Sequence, residues 1–261
     1  MKKIIALILV LCCLFAVVSC KKDPAPTPTP QPGPGTNPTP DTDPDVQAKI
    51  DEITAMFASL VPTQSVTSTK LTFGIVTLET LSTLTVGTVD GAEATILETV
   101  NETLSDVKGG GNLIVKSTEN LWYVAGRGTS ANKGKTWDAE GTDFAPTPGS
   151  IRLNLSAEYL ATKEYNKDTE TLTVTVTKEN AANVLGGFTP DVVFGGDVKI
   201  VISTAGGRIV SIEVSYLIPE KTITYAPYKD YPEDLEEMQV PDVEVVIKVD
   251  YTYDYQPITM G

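Results

Sequence analysis

The feature that most constrains the fold is a two-residue alternation of apolar and polar side chains. It is clearest near the C-terminus, where apolar or aromatic side chains occupy every second position from Val243 to Tyr255, with mostly Glu, Lys, Asp and Thr between them. Residues i and i+2 of a β-strand point to the same face of a sheet. The alternation therefore predicts a strand with one buried and one solvated face, which is typical of an antiparallel sheet covered on one side.

Further segments carry the same strand signature. Residues 71–89 and 113–125 are rich in Thr, Val, Ile or Leu, and the alternation is regular from Leu172 to Val176 and from Val198 to Tyr216. Such runs, bounded by turn residues, predict a series of strands joined by short connections. The turn dipeptides Asp90-Gly91 and Gly206-Gly207 are typical of β-hairpins.

One helix is predicted before the strands. Apolar side chains recur at spacings of 4, 3, 4 and 3 and so share one helical face, at Val46, Ile50, Ile53, Phe57 and Leu60. Asp45 is placed to cap this helix and Pro62 to end it. A short second helix is predicted around Asn180–Leu185. The predicted fold is mainly β, of the α+β class: a curved antiparallel sheet or half-barrel with an N-terminal amphipathic helix packed on it.

The N-terminus has the pattern of a secretion signal. Lys2 and Lys3 precede an apolar run from Ile4 to Val18, which is short for a hydrocarbon core of ~30 Å. The run ends in Val17-Val18-Ser19-Cys20, which resembles a bacterial lipobox. The resemblance implies that residues 1–19 are a lipoprotein signal peptide and that Cys20 is acylated, for example with palmitate. An uncleaved signal anchor, or an ordinary signal with an incidental cysteine, remains the alternative.

A proline-rich stalk follows the anchor. Residues 21–44 contain nine of the 18 prolines, a composition that favours extended polyproline II conformations over a packed core. At ~3.1 Å per residue such a segment reaches roughly 70 Å. The predicted organisation is a signal peptide at 1–19, a lipidated cysteine and disordered stalk at 20–44, and one β-rich domain at 45–261.

Charge and residue types narrow the functions that the domain could have. The chain has no histidine, and its three cysteines all lie at or before position 20, which leaves no thiol or imidazole in the domain. Removing the four basic and three acidic residues before position 45 leaves 16 and 31, a net charge of −15, which argues against nucleic acid as a partner. We therefore expect no cofactor, no metal site, no catalytic residues and no enzymatic activity, although a pair of carboxylates is all that a glycosidase requires.

Four aromatic side chains are the candidate ligand contacts. Trp122 and Trp137 fall in an aromatic-rich stretch, and Tyr251 and Tyr253 lie on one face of the last predicted strand. Aromatic side chains can line an apolar cavity or form a platform for a sugar or peptide. They are also common core residues of strands, and that interpretation stands beside the first.

A family resemblance adds an expectation about function. A lipobox, a spacer, an N-terminal helix and a meander of long strands resemble the LolA and LppX/LprG class of bacterial lipoproteins. The paired strands around the Gly-rich turn in Val198–Tyr216 and the closing stretch Val249–Ile258 are similar to theirs. The resemblance implies a half-barrel with helices as a lid over an apolar cavity for acyl chains.

Three functions are open at this point. The first is a non-enzymatic, lipid-anchored protein of the bacterial cell envelope, in the cell membrane or the outer membrane, that binds an apolar ligand such as lipid acyl chains in the half-barrel. The second is a surface-displayed module that binds a protein or glycan through exposed aromatics and loops. The third is a structural envelope component without a small ligand. The expected partner common to all three is the membrane, held through Cys20.

Overall fold

The structure is a computed structural model that describes residues 44–107, 111–131, 136, 138, 148, 151–186, 192–225, 236–254 and 258. All of these residues belong to one compact unit, residues 42–261. The helices are α1, Pro44–Ala58, and α2, Ala181–Leu185, and a 3₁₀ turn spans Ala157–Tyr159. The strands are β1 Gln64–Phe73, β2 Val76–Val89, β3 Ala92–Val107, β4 Gly111–Val124, β5 Gly128–Ser130, β6 Leu160–Asn166, β7 Thr171–Val176, β8 Val198–Ala205, β9 Arg208–Ile218, β10 Lys221–Tyr225, β11 Glu236–Val240 and β12 Val243–Thr252.

Ten of these strands form one curved antiparallel sheet that does not close on itself. The order across the sheet is β5-β4-β3-β2-β1-β12-β9-β8-β7-β6, and β10 pairs with β11 in a separate hairpin. The first and last strands of the domain, β1 and β12, are neighbours and join the two parts of the sheet. The predicted fold class, a β-dominated α+β half-barrel, is confirmed.

The hairpin turns follow the local sequence. Asp90 and Gly91 have φ values of 51° and 81°, and Gly206 and Gly207 have 58° and 73°, so both predicted turns have the two positive φ angles of a type I′ hairpin. The turn at Gly74-Ile75, which separates β1 from β2, was not expected within residues 71–89. Gly74 supplies a positive φ of 57° there, but the apolar Ile75 carries no turn signal.

Helix α1 buries most of the predicted apolar stripe, although Val46 is only half-buried. Ile50, Ile53, Phe57 and Leu60 are all buried, and the helix contacts β6 and β9. The predicted cap is wrong in detail, because the helix already begins at Pro44 and Asp45 lies inside its first turn. A carboxylate there still favours the helix dipole, and Asp45 also accepts a hydrogen bond of 2.9 Å from Lys167. No helix within the described ranges is long and apolar enough to cross a membrane.

A row of paired residues shows which face of the sheet the helix covers. From β6 to β4 the row reads Tyr165, Leu172, Ile202, Ile212, Val249, Thr67, Ser82, Thr99 and Glu119. Directly paired residues of an antiparallel sheet point to the same face. The Lys49 ammonium of α1 lies 5.2 Å from the centre of the Tyr165 ring, so α1 packs on the face that carries this row. We call it the helix-covered face.

The sheet has two parts with different burial. The covered half comprises β6 to β9 and β12, and its apolar side chains on the helix-covered face are almost all fully buried, as in Leu172, Ile200 and Val214. The wing comprises β1 to β5, and the middle of β2, from Thr80 to Gly87, is half-buried or exposed on both faces. The main core therefore lies between α1 and the covered half.

A second, smaller core lies on the opposite face of the wing. Val89, Ala94 and Val124 are buried there, and Ala92 and Ile258 pack against them. Ala94 pairs with Val124, and Val89 pairs with Ala92. The second core lies on the face that the covered half turns outward, whereas Leu71 and Phe73 of β1 and Val76 and Leu78 of β2 are buried on the helix-covered face.

Candidate functional site

The four predicted aromatic contacts do not come together. Tyr253 lines a cleft at the end of α1. Tyr251 is 6% exposed and pairs with Ser65 on the helix-covered face, whereas Trp122, also 6% exposed, pairs with Ile96 on the opposite face. Trp137 and Cys20 lie outside the described residues. Trp122 and Tyr251 therefore cannot form one wall of a shared cavity, and their role in ligand binding stays a prediction.

The cleft has a volume of about 440 Å³. One side is the C-terminal end of α1 and the residues after it, from Met56 to Val61, and the other is the turn between β8 and β9 with Tyr253 beside it. Small-molecule sites are typically concave, with volumes of ~300–1,000 Å³ and a mainly apolar lining. The volume of the cleft is within that range, and the cleft lies at the C-terminal end of α1.

Backbone and side-chain hydrogen bonds fix Tyr253 in the cleft. The Thr63 hydroxyl donates to the carbonyls of Thr252 at 3.0 Å and Asp254 at 2.6 Å, the residues on either side of Tyr253. The Tyr253 hydroxyl donates to the carbonyl of Ile209 at 2.6 Å. The ring is therefore held at both its backbone and its tip, directly after the end of β12.

Arg208 is positioned by the turn before it and by the Tyr253 ring. Gly206 and Gly207, both with positive φ, reverse the chain so that Arg208 opens β9 at the mouth of the cleft. Its guanidinium carbon lies 4.9 Å from the centre of the Tyr253 ring. A guanidinium over an aromatic face at this distance makes a favourable cation–π interaction.

Apart from Arg208 and Tyr253, four apolar side chains line the cleft, beside the polar Ser59 and the backbone at Gly207. Leu60 and Ile209 are buried, Met56 is half-buried and Val61 is 79% exposed at the rim. The carbonyl of Met56 accepts the backbone N–H of Ser59 at 3.1 Å and its hydroxyl at 3.2 Å, so the helix end is satisfied locally. Among the residues that the structure describes, Arg208 is the one charged side chain in the lining.

Burial keeps the nearby phenols protonated. It raises the pKa of Tyr253, and the Arg208 guanidinium opposes that rise. Burial also raises the pKa of Tyr251, with a further contribution from Tyr253, and it raises the pKa of Tyr216 to about 12. At neutral pH the Tyr253 hydroxyl is therefore a hydrogen-bond donor, as its contact with the Ile209 carbonyl requires.

Two buried polar atoms have no partner in the described part of the chain. They are the indole nitrogen of Trp122 and the hydroxyl of Tyr251. Buried polar atoms are usually hydrogen-bonded. The two lie on opposite faces of the sheet and neither lines the cleft. Among the described residues, no group of three or more Asp, Glu, Cys or His side chains is placed to hold a metal ion.

Sequence reasoning found Tyr253 and missed its neighbours in the cleft. Arg208 follows the Gly206-Gly207 turn, and a charged residue after a hairpin turn is ordinarily solvated. Met56 and Val61 lie about 150 residues away in the chain from Arg208. Two features of the sequence could have identified Met56 and Val61. Both residues flank the end of the apolar stripe, and Val61 directly precedes Pro62, which stops the helix.

Comparisons with known proteins are sparse. No family model and no curated protein matches this chain. A solved structure of a DUF1329 family protein from Desulfovibrio piger is similar over 82% of this chain and 96% of that chain, with 10% sequence identity and a TM-score of 0.24. A TM-score this low supports no inference about the function of this chain.

Proposed function

We propose that this chain is a non-enzymatic, lipid-anchored protein of the bacterial cell envelope that binds an apolar ligand such as a lipid acyl chain. The observation that carries the binding function is the cleft, where Met56, Leu60 and Val61 present apolar surface beside the ordered ring of Tyr253. Val61 has the highest exposed fraction of the large apolar side chains found exposed in the described ranges. A ligand that covered it would remove apolar surface from water.

The ligand position that we propose is the end of α1 and not the space beneath it. Leu172, Ile200 and Val214 are fully buried under α1, so side chains already fill the interior of the covered half. An acyl chain would displace packed side chains there, whereas the cleft is open and lies at the C-terminal end of α1. The half-barrel thus supplies a rigid wall, and the helix end supplies the contact surface.

The lipid anchor is supported by the sequence around Cys20. Mass spectrometry of the protein extracted from membranes of its native host tests it. A mature N-terminus at Cys20 carrying acyl chains is the expected result, and Cys20→Ala is expected to abolish the acylation. An unmodified Cys20 would contradict the anchor.

Native mass spectrometry tests the ligand. The Cys20→Ala protein, purified from its host in mild detergent, is expected to carry a co-purifying amphiphile. Val61→Asp places a charge on the apolar rim and is expected to remove the bound mass, whereas Val193→Asp, at another exposed apolar side chain, serves as the control. A bound mass that survives Val61→Asp would place the ligand elsewhere.

A second function, a module that binds a protein or glycan, is favoured by the wing. On its helix-covered face the hydroxyls of Ser82 and Thr99 lie 3.3 Å apart, and Thr80 donates to Asn101 at 2.9 Å. These side chains are only half-buried and offer hydrogen-bonding groups across neighbouring strands. The long predicted stalk would display such a surface away from the membrane.

Nuclear magnetic resonance distinguishes the two functions. Soluble glycan fragments of the host cell wall, titrated into the ¹⁵N-labelled protein, are expected to shift amides of β1 to β4 if the wing is the binding surface. Shifts confined to residues 56–61 and 207–209 on addition of an amphiphile would favour the cleft. The amides of β7 and β8, which lie in the filled half, serve as the internal control.

A further inference from the structure

We infer that the ligand of the cleft is an anionic amphiphile, whose carboxylate or phosphate group binds Arg208 while its apolar chain lies against Met56, Leu60 and Val61. The inference rests on the proposed function, because it specifies the ligand class of the same site. Its basis is the arrangement of charge and donors around Arg208, which the proposed function does not use.

Arg208 is exposed, and no acidic side chain balances its charge in the described structure. Several lysines, such as Lys70 and Lys199, likewise form no salt bridge there, but Arg208 is the charged side chain that lines the cleft. Arg127, at the turn region of the wing, is bound to Asp90 at 2.7 Å. Arg208 forms no salt bridge with any residue that the structure describes, and its contact there is with the neutral Tyr253 ring. An added anion would complete its electrostatic environment.

The donors of Arg208 are oriented and available. A guanidinium carries five N–H donors in a planar fork. Tyr253 contacts the guanidinium through its ring, which accepts no ordinary hydrogen bond, and no described acceptor takes an N–H of this side chain. The ring is itself held by the bond from its hydroxyl to Ile209. A pre-positioned fork with free donors matches the two oxygens of a carboxylate or phosphate in bidentate geometry.

The apolar side of the cleft sets the second requirement on the ligand. A free inorganic anion would use Arg208 but leave Val61, at 79% exposure, in contact with water. A neutral apolar ligand would cover Val61 and Met56. It would accept no hydrogen bond from the Arg208 guanidinium and would exclude water from those N–H donors. A cationic amphiphile would meet repulsion from Arg208. One negative headgroup joined to an apolar chain satisfies both parts of the cleft.

The partial negative charge at the C-terminal end of α1 does not reverse the preference for an anionic headgroup. Helix C-termini carry a partial negative charge, which attracts cations. Here the carbonyls of Met56 and Phe57 accept backbone N–H groups from Ser59 and Leu60, at 3.1 Å and 3.5 Å. The full positive charge of Arg208 lines the same cleft and outweighs a partial charge that is already hydrogen-bonded.

Calorimetric titration of the Cys20→Ala protein with matched ten-carbon probes tests the inference. The probes are decanoate, decyl phosphate, decanol and decyltrimethylammonium, all below their micellar concentrations, together with inorganic phosphate alone. We expect decanoate or decyl phosphate to bind at least tenfold more tightly than decanol, because a hydrogen bond to a charged group contributes enough for a tenfold change or more. The cationic probe and inorganic phosphate are expected not to bind measurably. Comparison of decanoate with decyl phosphate identifies the headgroup.

Arg208→Gln and the control Arg127→Gln identify the residue responsible. We expect Arg208→Gln to weaken the anionic probe about tenfold or more and to leave decanol unchanged, whereas Arg127→Gln leaves both unchanged. Arg208→Lys is expected to retain part of the preference, since it keeps the charge but not the fork. Near-ultraviolet circular dichroism of each variant shows that the fold is retained.

The outcomes separate this inference from the proposed function. Equal binding of decanol and decanoate, or equal effects of Arg208→Gln and Arg127→Gln, would overturn the anionic headgroup while the apolar site stands. Failure of every ten-carbon probe to bind would overturn both. Binding of inorganic phosphate as tightly as decyl phosphate would show that the site takes a free anion and would overturn the amphiphile.

Discussion

The covered half and the wing belong to one continuous hydrogen-bonded sheet, but their side chains differ in how far they are buried. On the helix-covered face Leu172 and Ile202, in the covered half, are fully buried, while Thr67 and Thr99, in the same row on the wing, are half-buried. The change occurs between β12 and β1, which pair along most of their length. In this row the face is apolar in the covered half and polar on the wing. At one end of β1 and β2, however, Leu71, Phe73, Val76 and Leu78 are buried on the same face.

The difference shows that cross-strand pairing and core burial stabilise different parts of this sheet. The covered half is stabilised mainly by apolar burial against α1. The wing has the three longest strands, β2, β3 and β4, and its side chains form lateral hydrogen bonds such as Thr80 to Asn101. Each such pair contributes only a few tenths of a kcal/mol to about 1 kcal/mol. The wing is therefore the part where surface substitutions are best tolerated.

Matched leucine truncations give the largest expected contrast. Leu172→Ala, at a fully buried position of the covered half, is expected to lower the free energy of unfolding by about 2–5 kcal/mol. Leu81→Ala, at a position on the wing that is 40% exposed, is expected to lower it by less than about 1 kcal/mol. Urea unfolding followed by circular dichroism measures both. Equal losses would show that the wing is as tightly packed as the covered half.

Alkaline pH should act through the buried tyrosines of the helix-covered face. The pKa of Tyr216 is raised from 10.0 to about 12 by burial, and that of Tyr251 is raised as well. Above pH 10 the unfolded chain releases these protons while the folded chain keeps them. Stability is therefore complete below pH 10 and falls as pH rises toward 12, by about 1.4 kcal/mol per pH unit for each such tyrosine.

Urea unfolding at a series of pH values between 9 and 12 measures this slope. Tyr216→Phe is expected to remove the part of the slope that this residue contributes, and Tyr123→Phe, on the wing, provides the control. A slope that Tyr216→Phe leaves unchanged would show that the phenol ionises equally in the folded and unfolded chain.

A substitution of Tyr253 tests the contacts at the end of β12, the strand where the covered half meets the wing. Tyr253→Phe removes the hydrogen bond of 2.6 Å to the Ile209 carbonyl and is expected to lower the free energy of unfolding by about 1 kcal/mol. It also frees the ring, so we expect the Arg208 side-chain resonance to shift. Two-dimensional NMR of the arginine Nε–Hε groups detects that change, and the Arg127 resonance is the internal control. An unchanged Arg208 signal would contradict the contact.

The smallest expected effect concerns the lateral hydrogen bonds of the wing. Thr80→Val removes the hydroxyl that donates to Asn101 at 2.9 Å and is expected to lower the free energy of unfolding by about 0.5–1 kcal/mol. Thr69→Val, at the paired position on β1, makes a nearly identical change without an observed side-chain hydrogen bond. Equal losses of stability in the two variants would show that the hydrogen bond from Thr80 to Asn101 has no specific stabilising effect.

Local patterns were sufficient to predict much of the fold. The stripe of Ile50, Ile53 and Phe57 is buried as predicted, and Asp90-Gly91 forms the predicted turn. The short helix near Leu185 is also present. These features depend on residues only a few positions apart, whose spacing and backbone preferences are encoded locally. The turn at Gly74-Ile75 was missed because only one of its two residues carries a turn signal.

The candidate site could be predicted only in small part. Tyr253 was selected from its alternation, but the same alternation also grouped it with Tyr251, which is buried away from the cleft. Trp122 was selected from an aromatic-rich stretch, and the register places it on the opposite face of the sheet from Tyr251. Alternation shows that two residues share a face of their own strand, but it does not show which core that face meets.

The sequence by itself determined the amphipathic helix, the alternation of the strands and the turns at Asp90-Gly91 and Gly206-Gly207, and it predicts the lipid anchor and stalk. The tertiary structure decided where the helix packs, where each face of the wing is buried and that Met56, Arg208 and Tyr253 line one cleft. The reason is that hydrophobic periodicity is a property of neighbouring residues, whereas the cleft depends on contacts between distant ones. Thr63 and Thr252, 189 positions apart, are joined by a hydrogen bond only because β1 and β12 pair.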